Sequence, residues 1–133
     1  MAGLQEYPVS AVLRAENYER AARFYTEVLG LKAATPHETP TTEGQFTAGL
    51  GTVVMIYERP GMPAPENTTL GFLVPVSEFD EVISDLRTRG VHFEDYDLPE
   101  IGLKTVGGVA TLGDGKVAWF KDTEGNIVSI GTM

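Results

Sequence analysis

One stretch near the N-terminus decides the fold: Arg-Ala-Ala-Arg-Phe-Tyr-Thr-Glu-Val-Leu-Gly-Leu, residues 20–31. Asn17, just before it, is a suitable N-cap, and Gly30 provides the left-handed position that commonly ends a helix. The apolar residues between them recur at the spacing of a helix with one buried face; they are Ala21, Phe24, Tyr25, Val28 and Leu29. The stretch therefore predicts an amphipathic helix.

Strands are predicted on both sides of this helix, because short runs rich in β-branched and aromatic residues alternate with turn residues. These runs are residues 8–13, 31–35, 45–48 and 52–58, with a polar loop at 36–44. Together with the helix they form a β-α-β-β-β module that we assign to residues 1–58. Residues 59–67 hold three prolines and a glycine, a density typical of a linker.

The same order of elements is predicted again after the linker, in residues 68–133. A strand at 68–76 leads to a second helix, for which Ser77 and Asp80 resemble a capping box and Gly90 marks the end. The rest of this module is predicted as strands 91–93, 116–121 and 126–131, with an irregular, acidic and then glycine-rich segment at 94–108. The predicted fold class is therefore α+β, with two βαβββ modules whose sheets surround a concave ligand cavity.

The charge balance restricts the possible partners. The chain has 10 Lys and Arg against 19 Asp and Glu, a net charge of −9 at pH 7. Such a surface repels phosphate backbones, so nucleic-acid binding is not expected. A cationic ligand would be favoured, although many acidic proteins have no cationic partner. A share of the acidic residues falls in residues 94–100, which we expect to border the cavity.

Several other classes are excluded by composition and hydropathy. The chain has no cysteine, which excludes thiol catalysis, iron–sulfur clusters and cysteine–zinc sites. The N-terminus lacks the features of a signal peptide, and the apolar runs are too short to span a bilayer. We therefore expect a cytoplasmic protein without a membrane partner.

Two motifs resemble one known family. Residues 20–31 resemble the R-A-x-x-F-Y-x-x-V-L-G-L helix of the vicinal oxygen chelate superfamily, and residues 120–126 resemble its closing F-x-D-P-[DE]-G-N turn, with Thr123 in place of proline. That superfamily includes glyoxalase I, extradiol dioxygenases, fosfomycin-resistance enzymes and bleomycin-resistance proteins. The resemblance covers nearly the whole chain and implies the same pair of βαβββ modules.

The resemblance also identifies where metal-dependent relatives carry their four ligands. In this chain those positions fall on Ser10, Met55, Thr69 (or Gly71 in an alternative register) and Ser129. Hydroxyls and a thioether do not replace the imidazoles and carboxylates that catalytic zinc, iron or manganese requires. We therefore predict no metal site and no cofactor.

Most of the predicted ligand-binding residues share the alternation of those four positions, as Val53 and Ile127 also do. Trp119 lies beside the closing turn, and Tyr96 lies in the acidic segment 94–100. Aromatic rings beside hydroxyls in an acidic protein suit a flat organic molecule with a cationic group, although Met55, Tyr57 and Trp119 would equally fill a core. The predicted set is Ser10, Val12, Arg14, Met55, Tyr57, Thr69, Tyr96, Trp119 and Ser129.

The leading functional prediction is a metal-independent, non-catalytic protein that sequesters an antibiotic-like molecule as a homodimer, as the resemblance to the bleomycin-resistance branch implies. One alternative is a metal-free enzyme, such as a glyoxalase-like lyase or isomerase, in which Glu43, Glu58 or His92 acts as a base and Arg14 holds an anion. Another is a vestigial cavity on a chain whose function is its dimer face. His37 is predicted in the loop at 36–44, and His92 on a strand.

Overall fold

The computed structural model describes residues 3–34 and 41–133, so His37 lies outside the described residues. The chain divides into two compact units, with the boundary between Met62 and Pro63. That boundary falls inside the proline-rich segment 59–67. Within the described ranges, no helix has the length and apolarity needed to cross a membrane.

The first unit is a four-stranded sheet with one helix. Its strands are arranged in the order β1-β4-β3-β2, with β1 parallel to β4 and the other pairs antiparallel. Helix α1 is α-helical only as far as Arg23, and a single π-helical turn, Phe24–Val28, continues it. The elements are β1 Ser10–Ala15, α1 Tyr18–Arg23, β2 Lys32–Ala33, β3 Glu43–Thr47 and β4 Val53–Glu58.

The start of α1 agrees with the prediction from the sequence, whereas the bounds of β1 differ from the predicted ones. The Asn17 side chain accepts a hydrogen bond from the Arg20 N–H at 3.0 Å, which is the predicted cap. The strand predicted at residues 8–13 lies two residues later, because its length is set by the partner strand β4, with which it pairs from Ser10 to Ala15.

The core of the first unit lies between α1 and one face of the sheet. The Tyr18 and Phe46 rings meet there, with centroids 6.4 Å apart. Because side chains alternate along a strand, the residues between the core positions lie on the opposite face. The buried core side chains are Leu13, Ala15, Tyr18, Ala21, Tyr25, Phe46, Val54 and Ile56.

The second unit is a six-stranded sheet in the order β5-β10-β9-β8-β7-β6, and it also carries one helix. β5 is parallel to β10, and β10 is antiparallel to β9. This repeats the β1-β4-β3 arrangement, so the predicted α+β class with two repeated modules is confirmed, with open sheets. The elements are β5 Thr68–Val74, α2 Phe79–Thr88, β6 Asp97–Leu98, β7 Leu103–Val106, β8 Val109–Leu112, β9 Gly115–Lys121 and β10 Ile127–Thr132.

The segment predicted to be irregular, residues 94–108, instead contains strands. Its glycines provide turns between strands: Gly102 has φ +68° in the turn between β6 and β7, and Gly107 and Gly108 have φ +58° and +81° between β7 and β8. The strand predicted at 91–93 is reduced to a single bridge between Phe93 and Phe120.

The predicted capping box of the second helix does not form. A 3₁₀ turn, Val76–Glu78, precedes α2, and the N-cap of α2 is Glu78, which makes no side-chain capping bond. In that turn the Glu78 N–H donates to the Pro75 carbonyl at 2.9 Å. The turn before α2 is therefore closed by a backbone hydrogen bond, and α2 begins without a side-chain cap.

Helix α2 covers one face of the second sheet. Lys116 Nζ of β9 lies 5.9 Å from the Phe79 ring centroid, and the Arg87 guanidinium lies 5.5 Å from that of Phe93. The Phe93 ring in turn meets Phe120 edge to face at 5.7 Å. Lys116 and Phe120 share one side of β9, so Trp119 and Lys121 lie on the sheet face directed away from α2.

Candidate functional site

A cavity of about 610 Å³ lies within the second unit. Its lining comes from the sheet face opposite α2, from the β6–β7 hairpin and from the segment that precedes β5. The residues around it are Ala64, Pro65, Glu66, Asn67, Thr68, Tyr96, Leu98, Leu103, Trp119, Lys121, Gly125 and Ile127.

The floor of the cavity is made by three neighbouring strands. Lys121 of β9 pairs with Ile127 of β10, and Ile127 pairs with Thr68 of β5, so these residues form one row across the sheet. Trp119 lies on the same face of β9, since it is two residues before Lys121. The floor is therefore apolar at its centre and carries an ammonium group at one side.

The first wall is the β6–β7 hairpin, which contributes Tyr96, Leu98 and Leu103. The Tyr96 ring meets Trp119 edge to face, with centroids 5.5 Å apart and an angle of 77° between the planes. Burial, with a smaller contribution from the Glu94 carboxylate, raises the pKa of the Tyr96 phenol. Tyr96 is therefore a neutral phenol at physiological pH.

Asp95 holds this hairpin in place. Its Oδ1 accepts hydrogen bonds from the Thr105 hydroxyl and from the Gly108 N–H, both at 2.8 Å. The Thr105 hydroxyl, and next the Gly108 N–H, lower the pKa of Asp95. Arg87 of α2 also donates a hydrogen bond to the Gly107 carbonyl. The hairpin wall is thus fixed by polar contacts outside the cavity.

The opposite wall is the segment 64–67, which contacts the turn between β9 and β10. Gly125 in that turn has φ +85°, and a β-carbon there would lie 3.0 Å from Ala64 Cβ. The turn is held by Asp122, whose Oδ1 accepts from the N–H groups of Glu124 and Asn126 at 2.8 and 2.9 Å. The motif at residues 120–126 therefore contributes Lys121 and Gly125 to the cavity, whereas its Asp122 carboxylate is used within the turn.

The predicted residues of the first unit lie on one face of its sheet, opposite α1. Val12 pairs with Met55, and Arg14 with Tyr57. Ser10 and Val12 are exposed, Val12 at 57%, whereas Arg14 is only 7% exposed, with its Nη2 3.9 Å from Glu16 Oε2. Met55 and Tyr57 are half-buried.

The remaining predicted residues lie in the second unit, where Tyr96 and Trp119 are brought together in the cavity. Thr69 lies at a β-bulge, and its hydroxyl donates to the Ile127 carbonyl at 3.0 Å. Gly71, the alternative register, pairs with Ser129, and Ser129 pairs with Trp119 on its other side. Ser129 lies beside the cavity in the sheet but does not line it.

The four positions that hold metal in the related fold do not fit a metal in this chain. Ser10 and Met55 offer a hydroxyl and a thioether, Thr69 uses its hydroxyl on a backbone carbonyl, and Ser129 offers another hydroxyl. Catalytic zinc, iron and manganese require imidazole and carboxylate ligands. Among residues 3–34 and 41–133, no three His, Asp or Glu side chains are placed to hold a metal ion.

Sequence reasoning missed part of the cavity. Ile127, expected from the alternation to face inward with Ser129, lines the cavity. Lys121 shares the alternation of Trp119, so the same pattern could have placed it. Leu98 and Leu103 carried no such signal, because no strand was predicted in residues 94–108. Of the acidic stretch 94–100, Tyr96 and Leu98 line the cavity, while Asp95 bonds to the hairpin.

Comparison with known proteins agrees with this architecture. The model of the Glyoxalase/Bleomycin resistance protein/Dioxygenase superfamily matches residues 8–130. A sequence comparison with curated proteins finds no match.

Solved structures share the fold at low sequence identity. A glyoxalase/dioxygenase from Nostoc punctiforme has a TM-score of 0.70 at 16% identity, covering 99% of this chain and 94% of its own. The fosfomycin resistance protein FosX from Mesorhizobium loti has a TM-score of 0.66 at 15% identity, with 96% and 92% covered. The oxidase ChaP-H2 has a TM-score of 0.67 at 18% identity, with 97% and 95% covered. Because the family model matches residues 8–130, the chain belongs to the glyoxalase/bleomycin resistance/dioxygenase superfamily, also called the vicinal oxygen chelate superfamily.

Proposed function

We propose that this chain is a metal-independent binding protein for a flat, antibiotic-like organic molecule with a cationic group, and that it protects by sequestering that molecule. The observation that carries the proposal is the cavity of the second unit, in which Tyr96 and Trp119 meet edge to face above apolar side chains. Its volume of about 610 Å³ lies in the range of drug-sized ligand sites.

The aromatic pair supports a planar ligand. Edge-to-face and stacked aromatic contacts contribute roughly 0.5–1.5 kcal/mol beyond the area they bury. A ligand cation over the face of Trp119 adds roughly 0.5–2 kcal/mol, depending on how far it is desolvated. The net charge of −9 favours the approach of such a cation from solution.

The donor set supports metal independence. Because the positions equivalent to metal ligands hold hydroxyls and a thioether, binding is expected to rest on ring contacts and apolar burial. The fosfomycin resistance protein from Mesorhizobium loti shows that the same fold occurs in a protein named for antibiotic resistance.

We also propose a homodimer as the working form. The sheet face opposite α1 carries the exposed Val12, and the face opposite α2 carries the exposed Leu73, at 57% and 68%. Exposed apolar residues on open sheet faces are typical of surfaces that meet a second copy. Light scattering after gel filtration at micromolar concentration should give a mass of twice 14.4 kDa, and a monomer mass would contradict the dimer.

A metal-free enzyme is the second candidate, and one row of side chains favours it. Arg14, Tyr57 and Glu43 are consecutive partners across β1, β4 and β3. A buried guanidinium next to a phenol and a carboxylate can hold an anion near a base. Under this alternative, Glu43→Gln abolishes turnover of a bound compound that chelators leave unaffected.

The single tryptophan makes the main proposal directly testable. Trp119 is the only tryptophan of the chain, so its emission reports on the cavity alone. We expect planar aromatic cations such as acridine and quinaldine derivatives to quench it saturably at micromolar concentration, with the same affinity in excess chelator. The compounds should be recovered chemically unchanged.

A matched pair of variants separates the cavity from the surface. Tyr96→Ala should weaken binding about tenfold, because it removes one ring of the pair and part of the wall. Tyr7→Ala makes the same change at an exposed tyrosine outside the cavity and should leave binding unaltered. No saturable quenching by any compound, loss of binding in chelator, or equal effects of the two variants would contradict the proposal.

A further inference from the structure

The cavity carries two charged side chains of opposite sign, Glu66 and Lys121. Neither forms an ion pair or a side-chain hydrogen bond with any residue in the described parts of the chain. The two therefore do not neutralise each other, although they line the same space.

Their places in the fold put them on opposite sides of the floor. Lys121 is on β9, whereas Glu66 precedes Thr68, the first residue of β5. Ile127 of β10 separates the two, since it pairs with Lys121 on one side and Thr68 on the other. Neighbouring strands lie about 4.8 Å apart, so the backbones of Lys121 and Thr68 are about 10 Å apart, and Glu66 lies two residues before Thr68.

The space between the charges is apolar and aromatic. Ile127 lies between them, and the Trp119 ring lies beside Lys121 on the same face of β9. A planar ring system of two or three fused rings spans a comparable distance. A ligand that covers this floor would therefore meet an ammonium group at one edge and a carboxylate at the other.

We infer that the ligand is a zwitterionic aromatic molecule, with an acidic group held by Lys121 and a basic group held by Glu66. The inference rests on the proposed binding function and specifies its ligand class. It differs from the expectation based on net charge alone, which calls only for a cation. A simple cation satisfies Glu66 but leaves Lys121 repelling the ligand.

Quinolines bearing a carboxylate, an aminomethyl group, both groups or neither provide matched probes. Titration against Trp119 emission should show that the zwitterion binds about tenfold more tightly than the unsubstituted ring. The carboxylate alone, or the aminomethyl group alone, should each raise the affinity about three- to fivefold. The affinity advantage of the zwitterion over the unsubstituted ring should be smaller at 0.5 M salt, because salt screens exposed ion pairs.

Charge-removing variants assign each group to its partner. Lys121→Met should remove the increase in affinity that the carboxylate provides and leave the increase that the amine provides. Glu66→Gln should remove the increase from the amine and leave the one from the carboxylate. Lys104→Met and Glu100→Gln make the same changes at exposed positions outside the cavity and should change neither.

The outcomes distinguish this inference from the proposed function. Saturable binding of the unsubstituted ring with no preference for the zwitterion would overturn the inference and leave the binding function intact. A preference unaffected by Lys121→Met and Glu66→Gln would also overturn it. The absence of saturable binding by all four quinolines and by the planar cations would overturn both.

Discussion

The Ser129 hydroxyl occupies the space where residue 71 would carry a β-carbon: a Cβ built on Gly71 lies 2.7 Å from Ser129 Oγ. The two residues are direct partners in the parallel β5–β10 pair. A glycine here thus lets a polar side chain fill a position between two strands.

Gly71→Ala should cost at most about 1 kcal/mol, because the new methyl group meets only the rotatable Ser129 hydroxyl and alanine otherwise suits a strand better than glycine. Ser129→Ala removes the hydroxyl, so Gly71→Ala should cost much less in that background. Urea unfolding of the two single variants and the double variant measures the coupling. Equal costs of Gly71→Ala in both backgrounds would contradict the contact.

The two helix starts should respond differently to loss of their hydroxyl or amide side chains. Asn17→Ala removes the hydrogen bond to the Arg20 N–H and should lower the free energy of unfolding by about 1 kcal/mol. Ser77→Ala should stay within about 0.5 kcal/mol, because α2 does not use that side chain as a cap. Thermal and urea unfolding of both variants measures this difference. A larger loss of stability for Ser77→Ala than for Asn17→Ala would contradict the finding that Asn17 caps its helix and Ser77 does not.

The closing turn should depend strongly on Asp122. Its carboxylate accepts from two backbone N–H groups and, through Oδ2, from the Asn126 amide at 3.0 Å, and Asn126 is only 1% exposed. Asp122→Ala removes an acceptor shared by these three buried donors and should cost about 3 kcal/mol. Asp114→Ala, at an exposed turn aspartate, should stay within about 0.5 kcal/mol of wild type. If urea unfolding showed similar losses of stability for Asp122→Ala and Asp114→Ala, the result would contradict a stabilising role for the Asp122 hydrogen bonds.

Asp95 should make stability depend on acid pH. Its pKa is lowered in the folded chain, first by the Thr105 hydroxyl and then by the Gly108 N–H, so folding favours the ionised carboxylate. The stabilisation is fully present above the unfolded pKa of about 3.9 and is lost as pH falls through the lower folded pKa.

Asp95→Asn tests this directly. Wild type should be more stable than Asp95→Asn at pH 7, and the difference should narrow as pH falls below about 4. Urea unfolding at pH 7, 4 and 2.5 gives the comparison. A difference that stays constant or widens toward acid pH would contradict the lowered pKa.

The elements that could be predicted are those whose signal is local. The helix of residues 20–31 has its cap, its apolar face and its final glycine within one short window, and Asn17 caps it as expected. Ser77 offered similar signals, but a 3₁₀ turn closed by backbone hydrogen bonds displaced it. Sequence alone does not distinguish these two ways of satisfying the first N–H groups of a helix.

The β6–β7 hairpin was missed for a different reason. Strand β6 has only two residues, and the glycines around it usually indicate irregular structure. Its stability depends on pairing with β7 and on the contacts of Asp95, which are distant in sequence. Trp119 is predicted beside the closing turn and Tyr96 in the acidic segment 94–100, but their contact depends on this hairpin, and only the structure brings the two rings together.

The hairpin forms one wall of the cavity, but the largest buried side chains of its unit lie elsewhere. Leu98 and Leu103 are half-buried, whereas the buried Phe79, Phe120 and Val128 belong to α2, β9 and β10. Substitutions at Leu98 or Leu103 can therefore reshape the cavity while these core contacts stay in place.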